Sequence, residues 1–167
     1  MHQMTRTSLE AAFAGESQAH VRYLLFADRA EKDGYANVAR LFRAIAFSEL
    51  QHAASHLRAL DMLRDSAANL QEAINGETFE VAEMYPAYQA VADLQEEKRA
   101  SRSMDRALEA EKVHAGMYTK AREAVTAGGD VEMGDLYVCE FCGWTVEGEP
   151  PDKCPICGAR REQFKKF

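Results

Sequence analysis

The sequence carries the motif Glu-x-x-His twice, each time inside a stretch whose apolar residues recur at helical spacing. The first copy runs from Glu49 to His52 within IAFSELQHA, and the second from Glu111 to His114 within LEAEKVHA. At a spacing of three residues, the carboxylate and the imidazole project from one helix face, which also carries the expected core residues. Because an unpaired carboxylate in a core is costly, the repeated motif predicts a bound cation.

A further glutamate precedes each motif at nearly the same distance. Glu16 lies 33 residues before Glu49, and Glu77 lies 34 residues before Glu111, so the two halves look like copies. One glutamate from each of two helices, with a Glu-x-x-His from each of the other two, is the ligand arrangement of di-iron carboxylate proteins. Glutamate and histidine without thiolate suit iron or manganese better than structural zinc. Glu80, one turn after Glu77, is expected to face the same metal layer.

Apolar periodicity predicts four long helices. Two of them occupy the stretch from Thr5 to about Arg64, with Gly34 at the turn between them. A third is expected over about 77–98, kinked at its proline, and a fourth over about 103–125. Segment 65–76 is predicted to be a crossover connection that contains a short helix, with Ser66 as its N-cap and Gly76 as its stop. Four helices with one longer connection predict a mainly α chain with a ferritin-like four-helix bundle.

Composition shifts divide the chain into three parts. Residues 1–126 are predicted to form the di-iron bundle, 127–136 a glycine-rich linker, and 137–167 a small domain built around four cysteines. All four cysteines lie in the last part, as the pairs Cys139, Cys142 and Cys154, Cys157. Two such Cys-x-x-Cys knuckles predict a tetrahedral four-sulfur metal site, for which iron and zinc both remain candidates. The expected small core of this domain comprises Tyr137, Phe141, Trp144 and Phe164.

Composition also excludes several classes of partner. The net charge of -7 and the lack of a run of lysine or arginine exclude a nucleic-acid surface. No stretch of 18 apolar residues and no apolar core typical of a signal peptide occurs, so we expect a cytoplasmic protein that does not interact with membranes.

Four other side chains lie near the predicted metal layer. Tyr23 and Tyr118 each follow a predicted glutamate ligand by seven residues, two helical turns along the same face. Core packing accounts for both, and a hydroxyl hydrogen bond to a ligand carboxylate is the second interpretation. His20 and His56 each lie one turn from a candidate ligand and are predicted to support the site without binding the metal.

With these motifs the chain resembles the rubrerythrin family over nearly its whole length. The segments that carry the resemblance are Glu16 with Arg22-Tyr23, Glu49-x-x-His52, Glu77-x-x-Glu80 followed by Met84-Tyr85-Pro86, Glu111-Lys112-x-His114, and TVEGEPPDKCPICG. The resemblance implies a non-haem di-iron peroxidase for oxidative-stress defence, which reduces hydrogen peroxide with electrons from a fused rubredoxin-like iron. A reductase or a rubredoxin is the implied electron donor, and we expect a homodimer or a higher homo-oligomer.

The resemblance also implies a role for each bundle ligand. By the resemblance, Glu49 and Glu111 are implied to bridge the two irons. Glu16 is implied to bind the first iron, and Glu77 and His114 are implied to bind the second. On oxidation, the first iron is implied to exchange His52 for Glu80. Replacing a neutral ligand by an anionic one stabilises the more highly charged diferric state.

Two other functions remain open on the sequence. A ferritin-like ferrous iron oxidase or storage protein uses the same bundle but needs no fused one-electron donor. A redox or metal sensor is the non-enzymatic alternative, with a zinc ribbon at the cysteines. Metal content and peroxide turnover distinguish these functions from the peroxidase.

Overall fold

The computed structural model describes all 167 residues, which form helices followed by a small sheet. The helices are α1 (Gln3–Lys32), α2 (Ala36–Ala59), α3 (Ser66–Phe79), α4 (Tyr85–Leu94) and α5 (Lys98–Thr126). The strands are β1 (Leu136–Cys139), β2 (Thr145–Glu147) and β3 (Phe164–Lys166). The chain divides into two compact units, Met1–Arg64 and Asp65–Phe167. None of the helices combines the length and the apolar character that a membrane span needs.

The first unit is the predicted helical hairpin of α1 and α2. Gly34 makes the turn between them with φ at 86°, a left-handed conformation that glycine adopts without steric penalty. On α2 the buried residues are alanines at seven-residue intervals: Ala39, Ala46 and Ala53. Such small side chains let two helices approach closely. The Nδ1–H of His20 on α1 donates to the Ala46 carbonyl at 2.7 Å, which adds a polar tie between the helices.

The second unit begins with a helix where the sequence predicted a connection. The predicted short helix is present, but the predicted stop at Gly76 is wrong, because α3 runs from Ser66 through Gly76 to Phe79. Asp65 caps its first turn, and its Oδ1 accepts the Ala68 N–H at 2.8 Å. The metal-ligand helix is therefore about three turns longer than predicted at its amino end.

Gly76 is the residue at which the sequence predicted the end of this helix. It lies inside α3 and has no positive φ. A glycine within a helix costs only about 1 kcal/mol relative to alanine, so packing against α5 is enough to keep the helix continuous. The α4 and α5 boundaries also differ from the prediction: α4 ends at Leu94, and α5 begins at Lys98.

A π-helical turn, Glu80–Met84, joins α3 to α4. Its wider hydrogen bond runs from the Tyr85 N–H to the Glu80 carbonyl. Pro86 follows in the first turn of α4, where its missing N–H is tolerated. The predicted kink therefore takes the form of one extra residue in a helical turn, a feature often found at functional sites.

The segment that contains the four cysteines forms a three-stranded antiparallel sheet in the order β2-β1-β3. Trp144 and Phe164 pack edge to face, with ring centroids 6.1 Å apart, as expected for the core of this domain. Phe141 was predicted to join them, but its side chain is 60% exposed. It is one of two residues between Cys139 and Cys142, whose sulfurs converge with those of the other two cysteines, and its ring points outward.

Candidate metal sites

The first unit brings one glutamate of α1 to the Glu-x-x-His motif of α2. Ligand atoms of Glu16, Glu49 and His52 lie within 4.8 Å of one another. His52 Nδ1 is 2.9 Å from Glu49 Oε2 and 3.8 Å from Glu16 Oε1. The pKa of Glu49 is lowered because Glu16 and His52 hydrogen-bond to its carboxylate. The upstream glutamate and the motif thus form the three-ligand group that the repeat predicts.

The second unit repeats this arrangement with Glu77 of α3 and the motif of α5. Ligand atoms of Glu77, Glu111 and His114 also lie within 4.8 Å of one another. His114 Nδ1 is 2.6 Å from Glu111 Oε2 and 4.0 Å from Glu77 Oε1. Burial, followed by the charge of Glu111, raises the pKa of Glu77 to about 7. Below this pKa the Glu77 carboxyl holds a proton, which a metal ion must displace. Metal binding to this group therefore strengthens as the pH rises through about 7.

Glu80 lies next to the second group but is not one of its three members. Burial and then the charge of Glu111 raise the pKa of the Glu80 carboxyl. Burial also raises the pKa of Tyr85, with the charges of Glu80 and Glu111 adding to it, so this phenol lies close to the carboxylates. The sequence indicated Tyr85 only as part of the segment Met84-Tyr85-Pro86, and not as a neighbour of the carboxylates, because a residue five positions after Glu80 shares its helix side only across a π turn.

The other ring nitrogen of His114 is held by a residue of the cysteine domain. His114 Nε2 lies 2.9 Å from the hydroxyl of Thr145, which is only 8% exposed. The Thr145 hydroxyl donates to the Gly143 carbonyl at 3.1 Å, so it accepts the Nε2–H of His114. At 2.6 Å a proton lies between Nδ1 and Glu111 Oε2, and a metal cation that takes its place binds the lone pair of Nδ1 while Nε2–H stays on Thr145. No local sequence signal links these two residues, which lie 31 positions apart.

Replacing Thr145 with valine is expected to weaken iron binding by the second group by about 10- to 100-fold, the range typical for loss of a residue that orients a ligand. The reason is that His114 loses the acceptor that selects its tautomer. Competitive chelator titration measures the change, and Thr145→Ser, which keeps the hydroxyl, is the matched control. Equal iron affinity in the valine and serine variants would contradict the orienting role.

The four cysteines form the third candidate site, and none is in a disulfide. Their sulfurs lie within 4.8 Å of one another, with Cys139 to Cys157 at 3.6 Å and Cys142 to Cys154 at 3.5 Å. Metal–sulfur bonds of about 2.3 Å in a tetrahedron place sulfurs about 3.8 Å apart, so the spacing fits one ion. Burial acts to raise the pKa of Cys154, but N–H groups of Cys157 and Ile156 donate to its sulfur and lower it. Burial instead raises the pKa of Cys142 and Cys157, so a metal ion that binds all four sulfurs displaces protons from these thiols.

The two tyrosines predicted near the metal layer lie in different surroundings. Tyr23 packs its ring against Phe26 and Phe42, with centroid distances of 6.2 and 6.0 Å. Tyr118 lies one turn after His114 and lines an apolar cavity of about 310 Å³. Neither hydroxyl forms a hydrogen bond in the structure, so a bond to a ligand carboxylate remains a prediction for both.

These features define a class of protein: a mainly helical metalloprotein with carboxylate–histidine sites and an attached four-thiolate domain. The chain belongs to the rubrerythrin family. It matches the Rubrerythrin family over residues 8–122 and the "Rubrerythrin, rubredoxin-like domain" over residues 137–165. These matches confirm the predicted fold class and cofactors, which in this family are a di-iron centre and a rubredoxin-like iron.

Individual relatives span nearly the whole chain. Rubrerythrin-2 of Clostridium acetobutylicum is 42% identical, and the alignment covers 98% of this chain and 97% of the relative. Nigerythrin of Nitratidesulfovibrio vulgaris is 34% identical over 98% of this chain and 86% of the relative. Solved structures of nigerythrin, in a mixed-valence and in a fully reduced, all-ferrous state, match with a TM-score of 0.57 and 33% identity, covering 98% of this chain and 86% of theirs.

Proposed function

We propose that this protein is a peroxidase that reduces hydrogen peroxide to water with electrons delivered through its four-cysteine iron. The observation that carries the proposal is the hydrogen bond between His114 and Thr145. It joins a candidate ligand of the di-iron centre directly to the domain that holds the one-electron site. An iron storage protein needs no such connection.

The proposed di-iron ligands are the two three-residue groups together with Glu80. We retain the roles that the family resemblance implies, with Glu49 and Glu111 bridging. When bound, the two ferrous ions supply one electron each to the peroxide O–O bond, which takes up two protons to give two water molecules. The carboxylates of this chain would balance the charge of the ions, and Nδ1 of His114 would be a ligand of the second iron.

The two histidines differ in a way that supports the implied ligand exchange. His114 is held at Nε2 by Thr145, and its side chain is 25% exposed. The Nε2 atom of His52 has no hydrogen-bond partner, and its side chain is 54% exposed. An imidazole with one hydrogen-bonded nitrogen turns away from a metal at a lower free-energy cost than an imidazole with two. His52 is therefore the better candidate for replacement by Glu80 on oxidation.

The proposed path for electrons follows the chain and two hydrogen bonds. From Cys142 it continues through the adjacent Gly143, whose carbonyl accepts the Thr145 hydroxyl. Thr145 in turn accepts the Nε2–H of His114. All four residues belong to the second compact unit. Nigerythrin, a relative, has been solved in mixed-valence and all-ferrous states, so iron in that protein changes oxidation state.

Iron content and peroxide consumption test the proposed function together. After anaerobic reconstitution, elemental analysis and Mössbauer spectroscopy are expected to show about three irons per chain, one of them in a four-sulfur environment. Reduced protein should then consume hydrogen peroxide without releasing oxygen. Iron taken up far beyond three per chain would favour storage. A colourless protein with zinc at the cysteines and no peroxide turnover would favour a sensor.

We also propose the expected homo-oligomer. Several large apolar side chains of the first unit are exposed, among them Leu25 at 63% and Phe47 at 62%. Exposed apolar side chains that cluster on one surface are typical of protein interfaces. Sedimentation velocity measures the mass of the particle in solution, and a monomer at micromolar concentration would contradict this proposal.

A further inference from the structure

A cleft of about 430 Å³ lies beside the four-cysteine site, and three arginines of α5 line it. Arg99, Arg102 and Arg106 follow one another at intervals of three and four residues, so they share one face of the helix. Phe141 and Cys142 of the cysteine domain form the opposite side. We call this feature the arginine cleft. The three guanidinium groups thus lie within one small volume next to a candidate iron ligand.

The arginine cleft is a positive patch in an acidic protein. None of its three arginines forms an ion pair, whereas Arg29 and Arg161 pair with carboxylates at 2.9 and 3.1 Å. The chain contains 27 aspartates and glutamates, yet none of them lines the cleft. With a net charge of -7 for the chain, this concentration of unpaired positive charge is local. Such a patch attracts negatively charged groups and speeds their encounter with the protein.

The cleft also holds an exposed aromatic side chain at the edge of the iron site. Phe141 is 60% exposed, and the guanidinium carbon of Arg106 lies 4.9 Å from its ring centroid. The next residue, Cys142, lines the cleft. An apolar side chain surrounded by charges is the composition of many protein–protein contact surfaces, whose polar rim sets the rate of association. A molecule seated here touches Cys142, a candidate ligand of the iron, and so gives an electron a short way into the four-cysteine site.

We propose that the arginine cleft is the docking site for an acidic one-electron carrier protein. The proposal rests on the proposed function, which requires electrons from outside. Each docking event transfers one electron from the reduced carrier to the ferric four-cysteine iron, with no bond made or broken. Two such events, with two protons, account for the reduction of one hydrogen peroxide to two water molecules.

The lining of the cleft favours a protein over a nucleotide. Phosphate sites usually contain a glycine-rich loop or helix amides that approach the anion closely. No glycine lines the arginine cleft, and none of its polar side chains is buried. Exposed Arg99 and Arg102 and half-buried Arg106, next to the exposed ring of Phe141, instead match the carboxylates of a protein surface, which can spread over a wide area.

Binding without electron transfer provides the first test. The probe is a free-standing rubredoxin of net negative charge, titrated against the zinc-loaded full-length protein and followed by NMR. The double variant Arg99→Glu, Arg102→Glu reverses two charges and leaves Arg106 on Phe141 in place. The matched control, Arg40→Glu with Arg58→Glu, makes the same charge change at exposed positions of α2. We expect affinity to fall on the order of tenfold or more in the cleft variant only, with a weaker salt dependence.

Electron transfer provides the second test, with stopped-flow reduction of the iron-loaded protein. Reduction by the acidic rubredoxin should slow on the order of tenfold or more in the cleft variant and stay unchanged in the control. Reduction by methyl viologen radical, a small cation that needs no arginine, should not slow in either variant. If viologen-reduced wild-type protein fails to reduce peroxide, the proposed function is wrong, whatever the binding result.

Three outcomes would overturn the docking proposal while viologen-driven peroxide turnover persists. The first is equal rubredoxin affinity and equal reduction rate in the cleft variant and the wild type. The second is direct reduction by NADH that the cleft variant loses, which would assign the cleft to a phosphate-bearing nucleotide. The third is self-association of the wild type that the cleft variant loses, which would make the cleft a contact between copies of this chain.

Discussion

Replacing Cys157 with serine is expected to abolish donor-dependent peroxide reduction while leaving a single turnover of prereduced protein intact. Cys157 supplies one of four converging sulfurs, and a serine hydroxyl is a poor ligand for iron in this set. The ligands proposed for the di-iron centre lie on the helices and are unchanged by the substitution. Steady-state turnover should therefore fall to the rate measured without donor, because the centre cannot be rereduced.

Rapid mixing of the prereduced variant with hydrogen peroxide separates electron supply from chemistry. One stoichiometric oxidation of the di-iron centre is expected at the wild-type rate. Asp152→Asn is the matched control, since this side chain is 97% exposed and lies in the same domain as the cysteines. Loss of the first turnover in the Cys157 variant, with normal helix content by circular dichroism, would contradict separate roles for the two iron sites.

Replacing Glu80 with alanine is expected to destabilise the diferric state while leaving ferrous binding nearly unchanged. Each three-ligand group is complete without Glu80, yet burial and the charge of Glu111 raise the pKa of this carboxyl, which places it beside the second group. A ligand that binds only in the oxidised state contributes only to the difference between the two states. The variant should therefore show a raised di-iron reduction potential and slower peroxide turnover.

The size of the effect follows from the two-electron couple. A hundredfold loss of diferric relative to diferrous affinity raises the potential by about 60 mV. Redox titration beside anaerobic ferrous binding measures both quantities. Glu83→Ala is the matched control, because Glu83 lies in the same π-helical turn and is exposed. An unchanged potential with normal turnover would make Glu80 a bystander, and lost ferrous binding would make it an ordinary ligand.

The position of Glu80 at the start of the π turn bears on the proposed exchange of His52 for Glu80. In this wider turn the Glu80 carbonyl accepts the Tyr85 N–H, whereas in an α-helix it would accept the N–H one residue earlier. The extra residue rotates the following side chains and brings Tyr85 close to the carboxylates. A phenol beside an exchanging carboxylate is placed to donate a hydrogen bond when the carboxylate is not bound to metal.

The identity of the candidate ligands was evident in the sequence, because the relevant geometry is local. Residues three positions apart share one face of any helix, so each Glu-x-x-His motif predicts a pair of ligands by itself. The equal spacing to Glu16 and Glu77 then predicts one more ligand per hairpin, and the structure forms both groups. The two Cys-x-x-Cys knuckles are equally local, since each closes within a single turn.

Tertiary packing decided the features that depend on residues far apart in the chain. Ser66, rather than Glu77, begins α3 because packing against α5 offsets the glycine that precedes the ligand. Thr145 meets His114 only because β2 packs on α5, and no sequence period connects positions 31 apart. The arginine cleft likewise needs α5 to lie beside Phe141. Residue types and local spacing thus determined which side chains can bind metal, whereas contacts between distant elements decided how His114 is oriented and where the arginine cleft lies.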